Sequence, residues 1–165
     1  MKVAPCDHGP QASPPPPILP AARAFLIQRP WPLFSKALAS VSGTRPIVAV
    51  IEADATDRRT LCSLLSLLDV DVHDYDSAES YLASRVDSLG CLISDVTLPG
   101  MSGFELLRVL RNAKRLTPVI LVGEEADVRT AVIAMQEGAT DFIEKPHLDL
   151  TILRRVANLI ERTRH

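Results

Sequence analysis

The three cysteines of this chain, Cys6, Cys62 and Cys91, stand far apart, with no CxxC pair and no histidine at ligand spacing. A metal or disulfide framework is therefore unsupported, and free thiols in a reducing compartment are expected. Long apolar runs are missing too. None approaches the roughly 18 residues of a membrane span, and the start lacks the charged-then-apolar order of a secretory signal. Net charge is slight, -2 over 165 residues, so nothing in the balance demands nucleic acid. A cytoplasmic protein with no membrane partner is the expectation.

What is present divides in two. Most of the thirteen prolines, Pro14 to Pro17 among them, fall in the first 45 residues, where Lys2, Arg23, Arg29, Lys36 and Arg45 face Asp7 alone. Such a segment does not sustain regular helix or sheet, and residues 1–45 read as a disordered, Pro-rich tail. Within it, Ala21 to Leu26 with Trp31, Leu33 and Phe34 are apolar enough for a docking segment or short helix, although a loose extension accounts for them more simply. Residues 46–165 hold 19 acidic against 13 basic side chains and are long enough for one core.

From Pro46 onward apolar runs alternate with helix-period segments, which argues for a parallel sheet with crossover helices. Ile47 to Ile51 reads as a buried first strand, followed by a helix capped by Thr56 or Asp57 with Leu61, Leu64, Leu65 and Leu68 on one face. Val70 to Tyr75 alternates like an edge strand, and Ser77 caps a short helix carrying Ala78, Tyr81 and Leu82. Cys91 to Ser94 forms a third strand ending at Asp95. Pro99, Gly100 and Gly103 then break the chain before a helix with Leu106, Leu107 and Leu110. Val119 to Val122 is the fourth strand. Val128, Ala131, Val132 and Met135 recur at helical spacing, and Gly138 closes that helix. Asp141 to Ile143 is the fifth strand, and a last helix from near Asp149 buries Leu153, Val156 and Ile160.

Five strands alternating with five helices predict a doubly wound, flavodoxin-like α/β fold with sheet order 2-1-3-4-5, whose functional groups gather at the carboxyl ends of the strands. Those ends offer Glu52 and Asp54, then Asp95, then Val122 and Gly123, then Lys145. Three carboxylates and a lysine on one edge suit a hard divalent cation and a phosphoryl group, although exposed acids at strand ends are as often merely solvated.

The segment Ser94-Asp95-Val96-Thr97-Leu98-Pro99-Gly100-Met101-Ser102-Gly103-Phe104-Glu105-Leu106-Leu107 closely resembles the phosphoacceptor region of response-regulator receiver domains, particularly the FixJ type. Ala131 to Pro146, ending Asp141-Phe142-Ile143-Glu144-Lys145-Pro146, resembles the same family's fourth helix, fifth strand and Lys-Pro turn. The resemblance runs from about Ile47 to Arg162. It implies a CheY-like receiver in a two-component phosphorelay, in which Asp95 takes a phosphoryl group from a histidine kinase or a phosphotransfer protein. It further implies that Lys145 neutralises the phosphoryl charge, that Pro146 follows a cis peptide bond, and that Phe142 is a movable aromatic. Glu52, Asp95 and the backbone carbonyl of Thr97 would hold Mg2+. The face of the fourth helix, fifth strand and fifth helix, with Arg129, Asp141, Arg154 and Arg155, is either a homodimer surface or an ordinary solvated one.

Two positions depart from the family's pattern. The usual pair of adjacent acids after the first strand reads Glu52 and Ala53, so weak Mg2+ binding is expected. The Thr or Ser that ends the fourth strand reads Val122, which removes about 1.5 to 3 kcal/mol of hydrogen bonding from the switch. No helix-turn-helix is expected after the fifth helix, and hence no DNA reading. The sequence thus reads as a single-domain response regulator, with a phosphorylation-independent pseudo-receiver serving as a protein-interaction module as the alternative. An enzyme is not expected, because an aspartyl phosphohydrolase needs an acid where Thr97 stands.

Overall fold

The computed structural model describes residues 45–86, 89–124, 127–145 and 150–163. The Pro-rich segment up to residue 44, Asp149 and Pro146 with its expected cis bond lie outside the described residues. Strands β1 (Ile47–Ile51), β2 (Asp71–Tyr75), β3 (Leu89–Asp95), β4 (Val119–Gly123) and β5 (Asp141–Glu144) form one parallel sheet in the order β2-β1-β3-β4-β5. Helices α1 (Ala55–Leu65), α2 (Ala78–Ser84), α3 (Gly103–Asn112), α4 (Val128–Gln136) and α5 (Leu150–Thr163) alternate with them. This is the doubly wound, flavodoxin-like arrangement that the sequence predicts.

Burial explains the wording of the strands. β1, β3 and β4 lie inside the sheet with helices on both faces, and all three are almost uninterruptedly apolar. β2 is an edge and keeps Asp71, His73 and Asp74 exposed. One core, on the α1 and α5 side, joins Val48, Val50, Leu61, Leu65, Ile93 and Val156. The other, on the α2, α3 and α4 side, joins Ala49, Ile51, Tyr81, Leu92, Leu107 and Leu121. α5 contributes Ile152, Leu153, Val156, Leu159 and Ile160, each worth about 1.5 to 3 kcal/mol when fully buried.

Several local expectations are corrected. α1 is capped by Asp54, whose side chain accepts from the Thr56 and Asp57 N–H groups, rather than by Thr56 or Asp57 themselves. β3 starts earlier than its purely apolar run, at Leu89, because Gly90 continues the strand. β4 and β5 each run one residue further than expected, since Gly123 pairs with Glu144. The apolar spacing in α4 is not a core stripe: Val128 is 81% exposed, Val132 and Met135 are exposed as well, and Ala134 is the residue that faces the core. Small Ala134 lets α4 lie close to the sheet while the larger side chains point outward.

α1 and α3, which follow β1 and β3, leave the sheet on opposite faces, so the carboxyl ends of β1 and β3 bound a crevice that neither connection covers. The site forms there.

Candidate functional site

Asp95 is the last residue of β3, and its side chain is only 8% exposed. Both carboxylate oxygens are engaged. Oδ1 accepts from the Thr97 N–H at 2.9 Å and Oδ2 from the Lys145 ammonium at 2.8 Å. The turn that follows is drawn tight by the Gly103 N–H on the Val96 carbonyl at 3.0 Å. A side chain at 103 would collide with the backbone carbonyl of Asp95, which is the physical reason for glycine at the start of α3. Ser102 and Glu105 close that start with a reciprocal capping box.

Lys145 arrives from β5, its N–H bonded to the Gly123 carbonyl at 2.8 Å. Its ammonium donates to Glu52 Oε2 at 2.7 Å and to Asp95 Oδ2, and lies 3.4 Å from Asp57 Oδ2. Burial opposes the charge on Lys145, but the bonds to Asp95 and Glu52 outweigh it and raise its pKa. Glu52 is nearly enclosed, at 4% exposure, and its Oε1 also accepts from the Asp54 N–H at 3.0 Å. Burial pushes the Glu52 carboxyl above its ordinary range, against the downward pull of Lys145 and the Asp54 N–H.

Of the site residues read from the sequence, Glu52, Asp95 and Lys145 are brought together. Asp54 is not: it is spent on the α1 cap, which holds its carboxyl below the usual range. Ala53 is exposed and offers no side-chain oxygen, while its carbonyl and that of Glu52 accept from the Arg58 guanidinium at 3.3 and 2.7 Å. Asp57 takes a place that the sequence reading did not give it. Its signal was nevertheless there, because α1 begins at the carboxyl edge of the sheet and its first turn overhangs the same crevice.

The donor set would face a divalent cation with oxygen ligands. All its side chains present carboxylate oxygens, with the Thr97 carbonyl beside Asp95, and that suits a hard ion in kind. As arranged, the carboxylates close on the Lys145 ammonium, and among the described residues no three acidic, histidine or cysteine side chains stand as a ready-made metal cage.

The switch position moves by one residue. Val122 is 1% exposed and belongs to the core with Val50, Ile93 and Ile143. β4 ends at Gly123, and a Cβ there would lie 3.1 Å from Phe142 Cζ and 3.6 Å from Val96 Cγ2. Position 123 therefore faces Phe142, and the expectation placed on Val122 is corrected to Gly123. The hydroxyl is lacking in either case. A hollow of about 450 Å³ opens beside this contact, between Val96, Thr97, Phe104, Thr130 and Phe142. On the α4, β5 and α5 face, Asp141 is already paired with Arg155 at 3.0 Å within the chain. Among the described residues no helix is long and apolar enough to cross a membrane.

Comparison with known proteins agrees with this architecture. A family model described as the response regulator receiver domain matches residues 48–157. Nodulation protein W of Bradyrhizobium diazoefficiens is 36% identical over 74% of this chain and 55% of its own length. The transcriptional regulatory protein FixJ of Rhizobium meliloti is 37% identical over 69% of this chain and 56% of its own. The chain thus spans about half the length of the curated relatives it matches. Among solved structures, a response regulator receiver protein from Pseudomonas putida is 31% identical, with a TM-score of 0.62 over 70% of this chain and 98% of that one. The signal receiver domain of a LuxO repressor protein from Vibrio parahaemolyticus is 25% identical, with a TM-score of 0.68 over 73% and 93%. By its sheet order, its site and the match over most of its length, the chain belongs to the response regulator receiver domain family.

Proposed function

We propose that this chain is a phosphoacceptor of two-component signalling that takes a phosphoryl group on Asp95 from a histidine kinase or a phosphotransfer protein. The observation that carries the reading is the buried Asp95 carboxylate held by Lys145 and the Thr97 N–H. An Asp95 oxygen attacks phosphorus, the P–N bond to the donor imidazole breaks, and that nitrogen leaves with the electron pair. Each Asp95 oxygen accepts one hydrogen bond and keeps a lone pair for this attack. Lys145 is the group that can follow the charge, because it keeps Glu52 while turning to the phosphoryl oxygens.

Glu52, Asp95 and the Thr97 carbonyl would hold magnesium, weakly because Ala53 gives no ligand, and the ion when bound would supply further positive charge to those oxygens. The product is an acyl phosphate, made once per signal, so the chain acts as a cytoplasmic relay or partner-binding switch rather than as an enzyme of turnover. Residues 46–165 form the receiver, and the α4, β5 and α5 face is where a second copy would dock. The test is phosphotransfer from a phosphorylated histidine donor, followed by hydride reduction, which converts the acyl phosphate to homoserine. Homoserine at position 95 supports the reading, and homoserine at another aspartate contradicts it.

A second reading rests on the missing oxygen at Ala53 and the missing hydroxyl at Gly123. On it the chain is a phosphorylation-independent interaction module. Failure to accept phosphate from any donor, with the fold intact, selects this reading.

A further inference from the structure

We propose that Asp57 supplies the carboxylate that position 53 lacks, so that Glu52, Asp57 and Asp95 together draw a divalent cation to the phosphoacceptor site. The inference rests on the reading of Asp95 as phosphoacceptor and adds a residue to it. Asp54 is the nearer acid in sequence, but its Oδ1 accepts from the Thr56 and Asp57 N–H groups at 2.8 and 3.0 Å and so is committed to the cap. That same cap pins the backbone of residue 57 at the head of α1, over the crevice.

From there Asp57 Oδ2 comes within 3.4 Å of the Lys145 nitrogen, which also lies 2.7 Å from Glu52 and 2.8 Å from Asp95. Carboxylates from β1, α1 and β3 therefore converge on one point, and a cation, the ammonium, already stands there. Their exposures differ in a useful way. The Asp57 side chain is 47% exposed while Glu52 and Asp95 are enclosed, so Asp57 forms the solvent side of the cluster. A divalent ion that sheds its water reluctantly approaches from that side, and its affinity is tuned by the number of charged ligands it meets. Lys145 brings a single positive charge to three carboxylates, so the cluster retains negative charge for a second cation.

The test is a magnesium chloride titration of the full chain at fixed ionic strength, followed through the backbone amide shifts of residues 94–97. Native protein is compared with Asp57→Asn, Ala53→Asp, the double variant carrying both, and Asp54→Ser. The last keeps a capping oxygen while removing one charge from the same loop. Asp57→Asn should weaken magnesium binding about tenfold, the loss typical of a residue supporting a metal site. Adding Ala53→Asp to it should restore binding, and Asp54→Ser should change binding far less. Equal affinity of native and Asp57→Asn overturns the proposal. So does an equal loss in Asp54→Ser, because net charge alone then accounts for the effect. If Ala53→Asp binds magnesium and the native chain does not, Asp57 is ruled out while the phosphoacceptor reading stands. If neither binds, that reading itself falls.

Discussion

Lys145 and Asp95 are 50 residues apart in sequence and 2.8 Å apart in space, at the ends of β5 and β3. The same ammonium holds Glu52, so one cation bridges two enclosed carboxylates. Lys145→Met leaves both acids facing one another without it. The expected loss of stability is about 3 kcal/mol, the range for breaking a buried ion pair. Urea unfolding at neutral pH measures it, and a loss below about 1 kcal/mol, the level of a surface pair, contradicts the account.

The corrected switch position makes a contrast between neighbours. Val122→Thr places a hydroxyl in an apolar core and should cost about 1 to 3 kcal/mol without creating any response to phosphorylation. Gly123→Thr instead presses on Phe142, whose ring is 3.1 Å from the new Cβ and must move. Combined with Ala53→Asp, it should produce shifts at Phe142 on adding beryllofluoride, a phosphoryl mimic, that exceed those of the native chain. An equally full response in the native chain contradicts the assignment.

Much of this was legible in the sequence, and the misses share a cause. Strand order, the two-sided burial of β1, β3 and β4, and the convergence of Glu52, Asp95 and Lys145 follow from apolar periodicity and chain alternation. Gly123 was read as lying just past β4 because it carries no apolar side chain, although the hydrogen-bond ladder does not need one. Asp54 and Asp57 exchanged roles because a cap and a site residue look alike in sequence, and only the start of α1 decides between them. The exposed Val128, Val132 and Met135 show that helical spacing of apolar residues marks a face without saying what covers it.

Glu52 gives a pH dependence of known sign. Its folded-state pKa is raised above the ordinary value of 4.5 by burial. The native state therefore holds the proton more tightly than the unfolded chain does. The associated stability is fully present below pH 4.5 and is lost as pH rises through the folded pKa. Native protein should show this falling component in urea unfolding above pH 4.5, and Glu52→Gln should lack it. Identical pH profiles for the two proteins contradict the enclosed position of Glu52.

Among the described residues, both cores are built from side chains between Val48 and Ile160. A chain that begins at Thr44 should therefore unfold in urea with an unchanged midpoint. A midpoint lowered by more than about 1 kcal/mol of stability shows that the Pro-rich segment contributes to the fold.

The central claim is that Asp95 is the residue that accepts phosphate, and intact-mass analysis after incubation with acetyl phosphate and magnesium tests it most directly. The native chain should gain one phosphoryl group, less of it when magnesium is withheld, and Asp95→Asn should gain none. Phosphate retained by Asp95→Asn, or absent from a native chain that is properly folded, would contradict it.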